Sequence, residues 1–121
     1  MNISELRELM AEFVKKGISA RCAEDGIHVA KGWPAAPYNV YKMGLTKASF
    51  IFGEMLKEDP RKIVMNSCCP GYVDTDMTSH KGVKTTDEGA DTPFYLSTLP
   101  IGVKEPINQF VYERKVVNWC K

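Results

Sequence analysis

The sequence has few of the features that mark a membrane protein or a nucleic-acid-binding protein. Lys plus Arg number 16 and Asp plus Glu number 15, so the net charge is only +1. Without an excess of positive charge, the chain has no broad electrostatic field to attract nucleic acid or an anionic membrane. The longest apolar run is far shorter than the roughly 18 residues that a membrane span needs. We therefore expect neither nucleic acid nor a membrane as a partner.

Histidine and cysteine are also scarce, which limits metal and disulfide chemistry. His28 and His80 lie far apart, and the four cysteines include no Cys-x-x-Cys spacing. A metal site is therefore not expected. Cys68 and Cys69 are neighbours, so a disulfide between them would be strained. The start of the chain has no basic stretch followed by an apolar one, which predicts no signal peptide, reduced thiols and a cytoplasmic location.

An amphipathic pattern from Asn2 to Lys16 predicts the first helix. Asn2 and Glu5 have the spacing at which two side chains cap a helix start, and Gly17 follows two lysines where a helix can end. The apolar positions recur at helical spacing and predict one buried stripe. They are Leu6, Leu9, Met10, Phe13 and Val14. Such a stripe usually packs in a core, and binding to a partner is the alternative.

A longer helix is predicted from Tyr38 to about Glu58. The preceding segment, Ile18 to Trp33, has no clear period and is predicted to be a loop, while Pro37 suits the first turn of a helix. Apolar residues occur on several faces, which predicts a helix buried on several sides. Tyr38 and Lys42 are four residues apart, so the phenol and the ammonium share one face of this helix.

The remaining sequence predicts strands that alternate with a helix. A short interior strand is predicted over Ile63 to Ser67, and a Pro-Gly loop follows it as far as Thr78. A capped helix is predicted from Thr86 to about Leu99, irregular near Pro93. Two short strands, predicted to pair with each other, are Phe110 to Tyr112 and Lys115 to Val117. This order is typical of a doubly wound α/β sheet, where ligands bind beyond the carboxyl ends of strands, here Cys69 to Met77.

These strands are too few to complete a parallel sheet. An unpaired strand edge promotes aggregation, and a helix that is apolar on several sides needs a sheet to cover. We therefore expect the chain to be the C-terminal portion of a larger α/β domain, or to pair with other chains.

Two groups of residues together resemble the second half of a carbonyl reductase of the short-chain dehydrogenase/reductase family. They are Gly32-Trp33-Pro34 with Tyr38-x-x-x-Lys42, and Asn66-x-Cys68-Cys69-Pro70-Gly71-Tyr72-Val73-x-Thr75-Asp76-Met77. A Tyr-x-x-x-Lys pair alone is common by chance, but the pair followed at this distance by a strand and a Pro-Gly loop is specific. Further matches are Glu88 to Pro93 before Tyr95-Leu96, Gln109 to Val111, and Trp119.

The resemblance covers nearly the whole chain and implies one partial domain. Residues 1–31 resemble the insertion helix and loop that make the carbonyl reductase subgroup typically monomeric. Residues 32–121 resemble the catalytic helix, the Pro-Gly loop, and the C-terminal helix and strands. The implied fold is the C-terminal part of a Rossmann-like doubly wound sheet that lacks its N-terminal nucleotide-binding half.

The resemblance also implies a role for each matching residue. Tyr38 would be the general acid that protonates the carbonyl oxygen of a small-molecule substrate while a hydride from NADPH reaches the carbon. A phenol ionises only near about pH 10, and the ammonium of Lys42 would favour ionisation and hold the ribose hydroxyls. The implied cofactor-binding residues are Tyr38, Lys42, Pro70, Val73 and Thr75. The implied substrate-pocket residues are Cys69, Tyr72 and Met77, of which Cys69 would be a thiol open to electrophiles.

Several features of the family are missing from the sequence. Nothing resembles a Gly-rich phosphate turn after a strand, and neither the catalytic Ser nor the supporting helix Asn is found. Tyr41 is bulky where the family usually has a small residue, which would crowd Tyr38. The chain is therefore expected to be inactive alone and to work as part of the full enzyme. The alternative is a truncated, non-catalytic chain that acts only by pairing with another subunit.

The same residues also have purely structural interpretations. Tyr38 and Lys42 could form an ordinary exposed pair, and Cys68 and Cys69 could be core thiols. Thr75 could cap a turn, and both histidines are expected at the surface. The Pro-Gly loop at the expected distance favours the catalytic interpretation of Tyr38 and Lys42.

Overall fold

The computed structural model describes residues 1–17 and 36–119, which form three α-helices and three short β-strands. The helices are α1 (Ile3–Gly17), α2 (Pro37–Met55) and α3 (Thr86–Ser97), and the strands are β1 (Ser67–Cys69), β2 (Phe110–Tyr112) and β3 (Lys115–Val117). The chain divides into two compact units, Met1–Ile51 and Phe52–Lys121. The predicted loop over Ile18–Trp33 and the predicted boundary after residue 31 lie outside the described residues.

Helix α1 begins with the reciprocal cap that the sequence predicts. The backbone N–H of Asn2 donates to Glu5 Oε2 at 2.9 Å, and the N–H of Glu5 donates to Asn2 Oδ1 at 2.9 Å. Two N–H groups that the helix itself cannot satisfy thereby gain acceptors. Leu6 and Phe13 are buried, but Leu9 and Val14 of the predicted stripe are exposed. The buried face of α1 is therefore narrower than predicted.

Helix α2 starts at Pro37, one residue before the predicted start, and ends at Met55, three residues before the predicted end. Val40 and Phe50 are buried in it. The large apolar side chains that remain exposed on α2 are Tyr38, Tyr41, Met43, Leu45, Phe52 and Met55. The prediction of burial on several sides is therefore wrong for the described residues. A strand of three residues is only about 10 Å long, whereas a helix of this length extends about 28 Å, so the observed strands are too short to cover it.

The three strands form one mixed sheet in the order β1-β2-β3. Strand β1 pairs parallel to β2 with Cys68 opposite Val111, and β2 pairs antiparallel to β3. The hairpin of β2 and β3 has the predicted bounds and turns at Glu113 and Arg114. Val111 is fully buried, at 0% exposure, which places the centre of the sheet in the core of the second unit. The ring of Trp119 packs on Phe110 with a centroid separation of 4.8 Å.

The position predicted for the first strand is wrong, because β1 lies at Ser67–Cys69 rather than at Ile63–Ser67. The side chain of Asn66 forms hydrogen bonds with backbone groups that a neighbouring strand would otherwise bind. Its Nδ2 donates to the carbonyl of Pro106 at 2.8 Å, and its Oδ1 accepts from the N–H of Gln109 at 3.0 Å. The strand begins one residue later, where the N–H of Ser67 donates to the carbonyl of Gln109 at 2.9 Å.

Helix α3 starts at Thr86, as predicted, and Thr85 caps it. The N–H of Thr85 donates to Glu88 Oε2 at 2.7 Å, and the N–H of Glu88 donates to Thr85 Oγ1 at 3.2 Å. The helix continues through Pro93 to Ser97 and buries Gly89 and Thr92. The sequence therefore predicted the type of this element, its capped first turn and its start, and the helix ends two residues before the predicted end.

Replacing Gly53 by Ala is expected to destabilise the protein by about 2 kcal/mol, as overpacking does in tight contacts. A methyl group at Gly53 would lie 2.3 Å from Oδ1 of Asn108. Asn108 is buried and its N–H donates to the carbonyl of Met65 at 2.9 Å, so it cannot easily move. Urea unfolding monitored by circular dichroism measures the difference.

Gly44→Ala is the matched control for Gly53→Ala, because both glycines are buried in α2. At Gly44 the added methyl group meets the thioether of Met10, 2.8 Å from Sδ, and this long side chain can change rotamer. Alanine also favours a helix by up to about 1 kcal/mol over glycine. Gly44→Ala should leave stability unchanged or raise it. Equal losses in the two variants would contradict the assignment of the tight contact to Asn108.

Candidate functional site

One candidate site is the pair of Tyr38 and Lys42 in the opening turns of α2, within the first unit. The ammonium Nζ of Lys42 lies 5.5 Å from the ring centroid of Tyr38. Both side chains are exposed, Tyr38 to 62%. Spacing of four residues thus places the two groups on the same accessible face, as the sequence predicts. A phenol hydroxyl and an ammonium are both available there to a ligand.

Tyr41, the residue expected to crowd Tyr38, contacts α1. Its ring meets Phe13 edge to face, with centroids 5.9 Å apart and an angle of 83° between the planes. Aromatic rings prefer this geometry because the electropositive edge of one meets the electronegative face of the other. Tyr41 therefore has a packing role within the first unit.

A separate candidate region, in the second unit, is the loop that follows β1, where the backbone turns sharply at Gly71. This glycine has a φ of 85°, in the left-handed region that residues with a side chain rarely adopt. The N–H of Gly71 lies 3.4 Å from Sγ of Cys69, which accepts a weak hydrogen bond. Pro70 is exposed at this turn. The loop therefore leaves the carboxyl end of β1 in a fixed direction.

The hydroxyl of Thr78 holds the middle of the loop. Oγ1 of Thr78 lies 2.7 Å from the carbonyl oxygen of Val73 and 2.9 Å from that of Thr75, and it accepts from the N–H of Thr75 at 3.1 Å. A single turn of 3-10 helix, Asp76–Thr78, starts immediately after Thr75. No role was predicted for Thr78 from the sequence, although its hydroxyl three residues after Thr75 was an available signal.

The segment Gly82–Lys84 closes the loop from its other side. The N–H of Lys84 donates to the carbonyl of Tyr72 at 3.1 Å, and the N–H of Asp74 donates to the carbonyl of Lys84 at 2.8 Å. A methyl group at Gly82 would lie only 2.0 Å from the carbonyl carbon of Val73. No role was assigned to this segment from the sequence, so this close approach was missed.

The three predicted substrate-pocket residues differ in accessibility. Met77 is 88% exposed and Tyr72 is half exposed, whereas Cys69 is partly buried at the end of β1. Cys68 and Cys69 are both free thiols, as predicted. Burial raises the pKa of the Cys68 thiol, and the adjacent Cys69 raises it further. A higher pKa means less thiolate, the reactive form, at neutral pH.

His80 lies at the surface, as predicted, but it joins two carboxylates of the loop. Its Nδ1 is 2.7 Å from Oδ1 of Asp74, and its Nε2 is 3.0 Å from Oδ1 of Asp76. All three side chains are well exposed, so solvent weakens these contacts. Among residues 1–17 and 36–119, no group of His, Cys, Asp and Glu side chains could hold a metal ion. No helix in the same ranges is long and apolar enough to cross a membrane.

The fold matches that of a solved reductase. Salutaridine reductase from Papaver somniferum superposes with a TM-score of 0.72 and 22% identity, over 93% of this chain and 35% of that one. At this identity the match shows the fold alone. The predicted fold class, α/β and part of a Rossmann-like doubly wound sheet, is thereby confirmed.

The sequence is similar to several carbonyl reductases. It is 44% identical over 117 residues to carbonyl reductase (NADPH) 1 of Rattus norvegicus, 42% identical to that of Homo sapiens, and 39% identical to carbonyl reductase (NADPH) 3 of Homo sapiens. Each match covers 95% of this chain, which spans about 40% of the length of these relatives. No protein-family model matches. The predicted resemblance to a C-terminal portion of a carbonyl reductase is confirmed.

Proposed function

We propose that this chain supplies the proton donor and the nicotinamide-side loop of an NADPH-dependent carbonyl reductase. The observation that supports this most is 44% identity over 117 residues to a carbonyl reductase, in a chain whose Tyr38 and Lys42 share an exposed face of α2. Because the chain spans about 40% of its relatives, we assign the activity to the whole protein of which this segment forms part.

Tyr38 and Lys42 would carry the proton chemistry. The hydroxyl of Tyr38 would donate its proton to the carbonyl oxygen of the substrate. The ammonium of Lys42, on the same face of α2, would stabilise the negative charge that develops on the phenol oxygen during the transfer. The exposed ammonium can also donate hydrogen bonds to the ribose hydroxyls. Bound NADPH would provide the hydride.

The described residues fit the nicotinamide half of the cofactor. Gly71 has no Cβ at the turn after β1, and the backbone of Val73 and Thr75 is held in place by Thr78. A fixed loop with exposed polar and apolar groups suits a flat amide ring. We therefore propose that Pro70, Val73 and Thr75 border the nicotinamide. No Gly-rich turn is present to receive the diphosphate, which we assign to the remainder of the enzyme.

The exposed side chains of the loop favour bulky carbonyl substrates. Tyr72 and Met77 offer aromatic and flexible apolar surface to a ligand. Such surface binds ketones, aldehydes or quinones with apolar rings through burial of area rather than through charge. Cys69 would border the same pocket. The cytoplasmic location and the monomeric state of the full enzyme remain part of this proposal.

A second function, pairing with another polypeptide, is favoured by the edge of the sheet. Strand β1 is an edge strand of a parallel pair, and the apolar residues Phe52, Met55, Ile63 and Val64, which precede it in the second unit, are exposed. Exposed strand edges beside apolar surface bind further strands. Size-exclusion chromatography of the chain alone, and with the remaining segment of a carbonyl reductase, tests this function. A chain that stays monomeric in both samples would exclude it.

A chimera tests the enzymatic proposal directly. This chain should be inserted in place of the matching 117 residues of the rat relative, and NADPH oxidation measured with a quinone. We expect turnover by the chimera and none by the 121-residue chain alone. A chimera that melts cooperatively and binds NADPH but does not reduce the quinone would refute the proposal.

A further inference from the structure

Lys84 contacts the loop after β1 through both its backbone and its side chain. The backbone exchanges hydrogen bonds with Tyr72 and Asp74, forming an isolated bridge opposite Val73. The side-chain stem lies against the α-carbon of Gly71, since a Cβ there would be 3.0 to 3.2 Å from its last three atoms. The side chain is only 19% exposed. Lys84 thus lies between the loop and the body of the second unit.

The ammonium of Lys84 is bound to the turn of the β2–β3 hairpin. Nζ is 2.7 Å from Oε1 of Glu113 and 4.6 Å from the ring centroid of Tyr112. The hydrogen bond to Glu113 raises the pKa of Lys84, and the same bond lowers the pKa of Glu113. Both groups are therefore charged throughout the neutral pH range. An ion pair with one partly buried member is screened less than a fully exposed pair.

The hairpin turn that carries Glu113 is itself fixed to α3. Arg114 donates from Nε to Oδ2 of Asp91 at 2.8 Å and from Nη2 to Oδ1 of the same carboxylate. Its N–H donates to Oγ1 of Thr92 at 3.3 Å, and its guanidinium lies 5.4 Å from the ring centroid of Tyr95. A bidentate arginine–carboxylate pair has a defined geometry. The position of Glu113 is consequently set by contacts that do not involve the loop.

We propose that Lys84 is a positioning residue that fixes the Pro70–Thr75 loop to the β2–β3 turn and so sets the shape of the nicotinamide side of the site. The nicotinamide assignment rests on the proposed function, whereas the mechanical connection rests on the contacts alone. Contacts run from α3 through Arg114 to Glu113, and from Glu113 through Lys84 to Gly71. Removing the ammonium should release the loop without unfolding the sheet, because β2 and β3 remain paired.

Hydrogen exchange in the 121-residue chain tests the connection. Lys84→Met keeps the apolar stem and removes the charge, Glu113→Gln removes the acceptor charge, and Lys84→Arg is the conservative control. We expect amides of residues 71–84 to exchange about tenfold faster in the Met and Gln variants, and close to the parent rate in the Arg variant. The double variant should exchange no faster than either single one, because both remove one interaction.

Three outcomes would overturn the connection: unchanged exchange over residues 71–84 in Lys84→Met, additive effects in the double variant, or equal acceleration in the Arg control.

The chimera then tests the positioning role. Lys84→Met should raise KM for NADPH about tenfold and leave kcat nearly unchanged, with recovery in Lys84→Arg. Loss of kcat alone would refute positioning. Faster loop exchange with a folded chimera that never turns over would instead refute the proposed function and leave the connection intact.

Discussion

Tyr38→Phe in the chimera is expected to lower kcat for quinone reduction by about 10²- to 10⁴-fold, the usual contribution of a general acid. The variant keeps the ring near the ammonium of Lys42 but removes the only proton that the side chain can donate. Binding of NADPH, measured by fluorescence titration, should change little, because one hydroxyl among many contacts is lost. The rate is followed through the fall in NADPH absorbance.

Tyr41→Phe is the matched control, since the same hydroxyl is removed three residues away on the same helix. Its ring meets Phe13 edge to face, and this packing survives without the hydroxyl. Activity should therefore remain close to that of the parent chimera. If the two variants lost the same activity, or if Tyr38→Phe retained most of it, Tyr38 would not be the proton donor.

Gly82→Ala is expected to cost about 3 kcal/mol of stability, near the upper end of overpacking effects. The added methyl group would lie 2.0 Å from the carbonyl carbon of Val73 and 2.2 Å from the nitrogen of Asp74. Both atoms belong to the backbone, so no change of rotamer can relieve the contact. The loop must separate from Gly82, which moves Val73 and Thr75. Urea unfolding gives the stability, and KM for NADPH in the chimera reports the displacement of the loop.

Gly102→Ala separates steric exclusion from the conformational freedom of glycine. Gly102 has a φ of 79°, and a methyl group there would have no atom within 4 Å. This variant should cost about 1 kcal/mol, the strain of a left-handed backbone with a side chain. It should leave KM for NADPH unchanged. A loss for Gly82→Ala no larger than this would show that the loop can relax away from residue 82.

The features that the sequence predicted correctly are determined by residues close together in the chain. The caps of α1 and α3 each need two side chains three residues apart, and the shared face of Tyr38 and Lys42 needs only a helix. The β2–β3 hairpin follows from two short triplets rich in aromatic and β-branched residues on either side of a two-residue turn. Residues near each other in the chain were enough to predict these elements, and the family motifs then indicated the chemistry of the site.

The features that the sequence did not predict depend on contacts between distant residues. Strand β1 starts later than predicted because Asn66 binds Pro106 and Gln109, about forty residues further along the chain. The contact of Lys84 with Glu113 was not predicted for the same reason, since the two residues are 29 positions apart in the chain. The hydrophobic pattern of a sequence does not indicate which polar side chain replaces a backbone hydrogen bond. Such pairings become visible only in three dimensions.

The turn at Glu113 and Arg114 shows a conflict between local and distant preferences. Both residues adopt positive φ, 49° and 59°, which a two-residue hairpin requires and which Asn-Gly would adopt with less strain. A protein engineer guided by turn statistics alone would install Asn-Gly here. That exchange would relax the turn and disconnect the hairpin from both Lys84 and Asp91. Consensus redesign of this hairpin would thus lower the backbone strain of the turn, and it would remove the contacts that connect the loop after β1 to the hairpin.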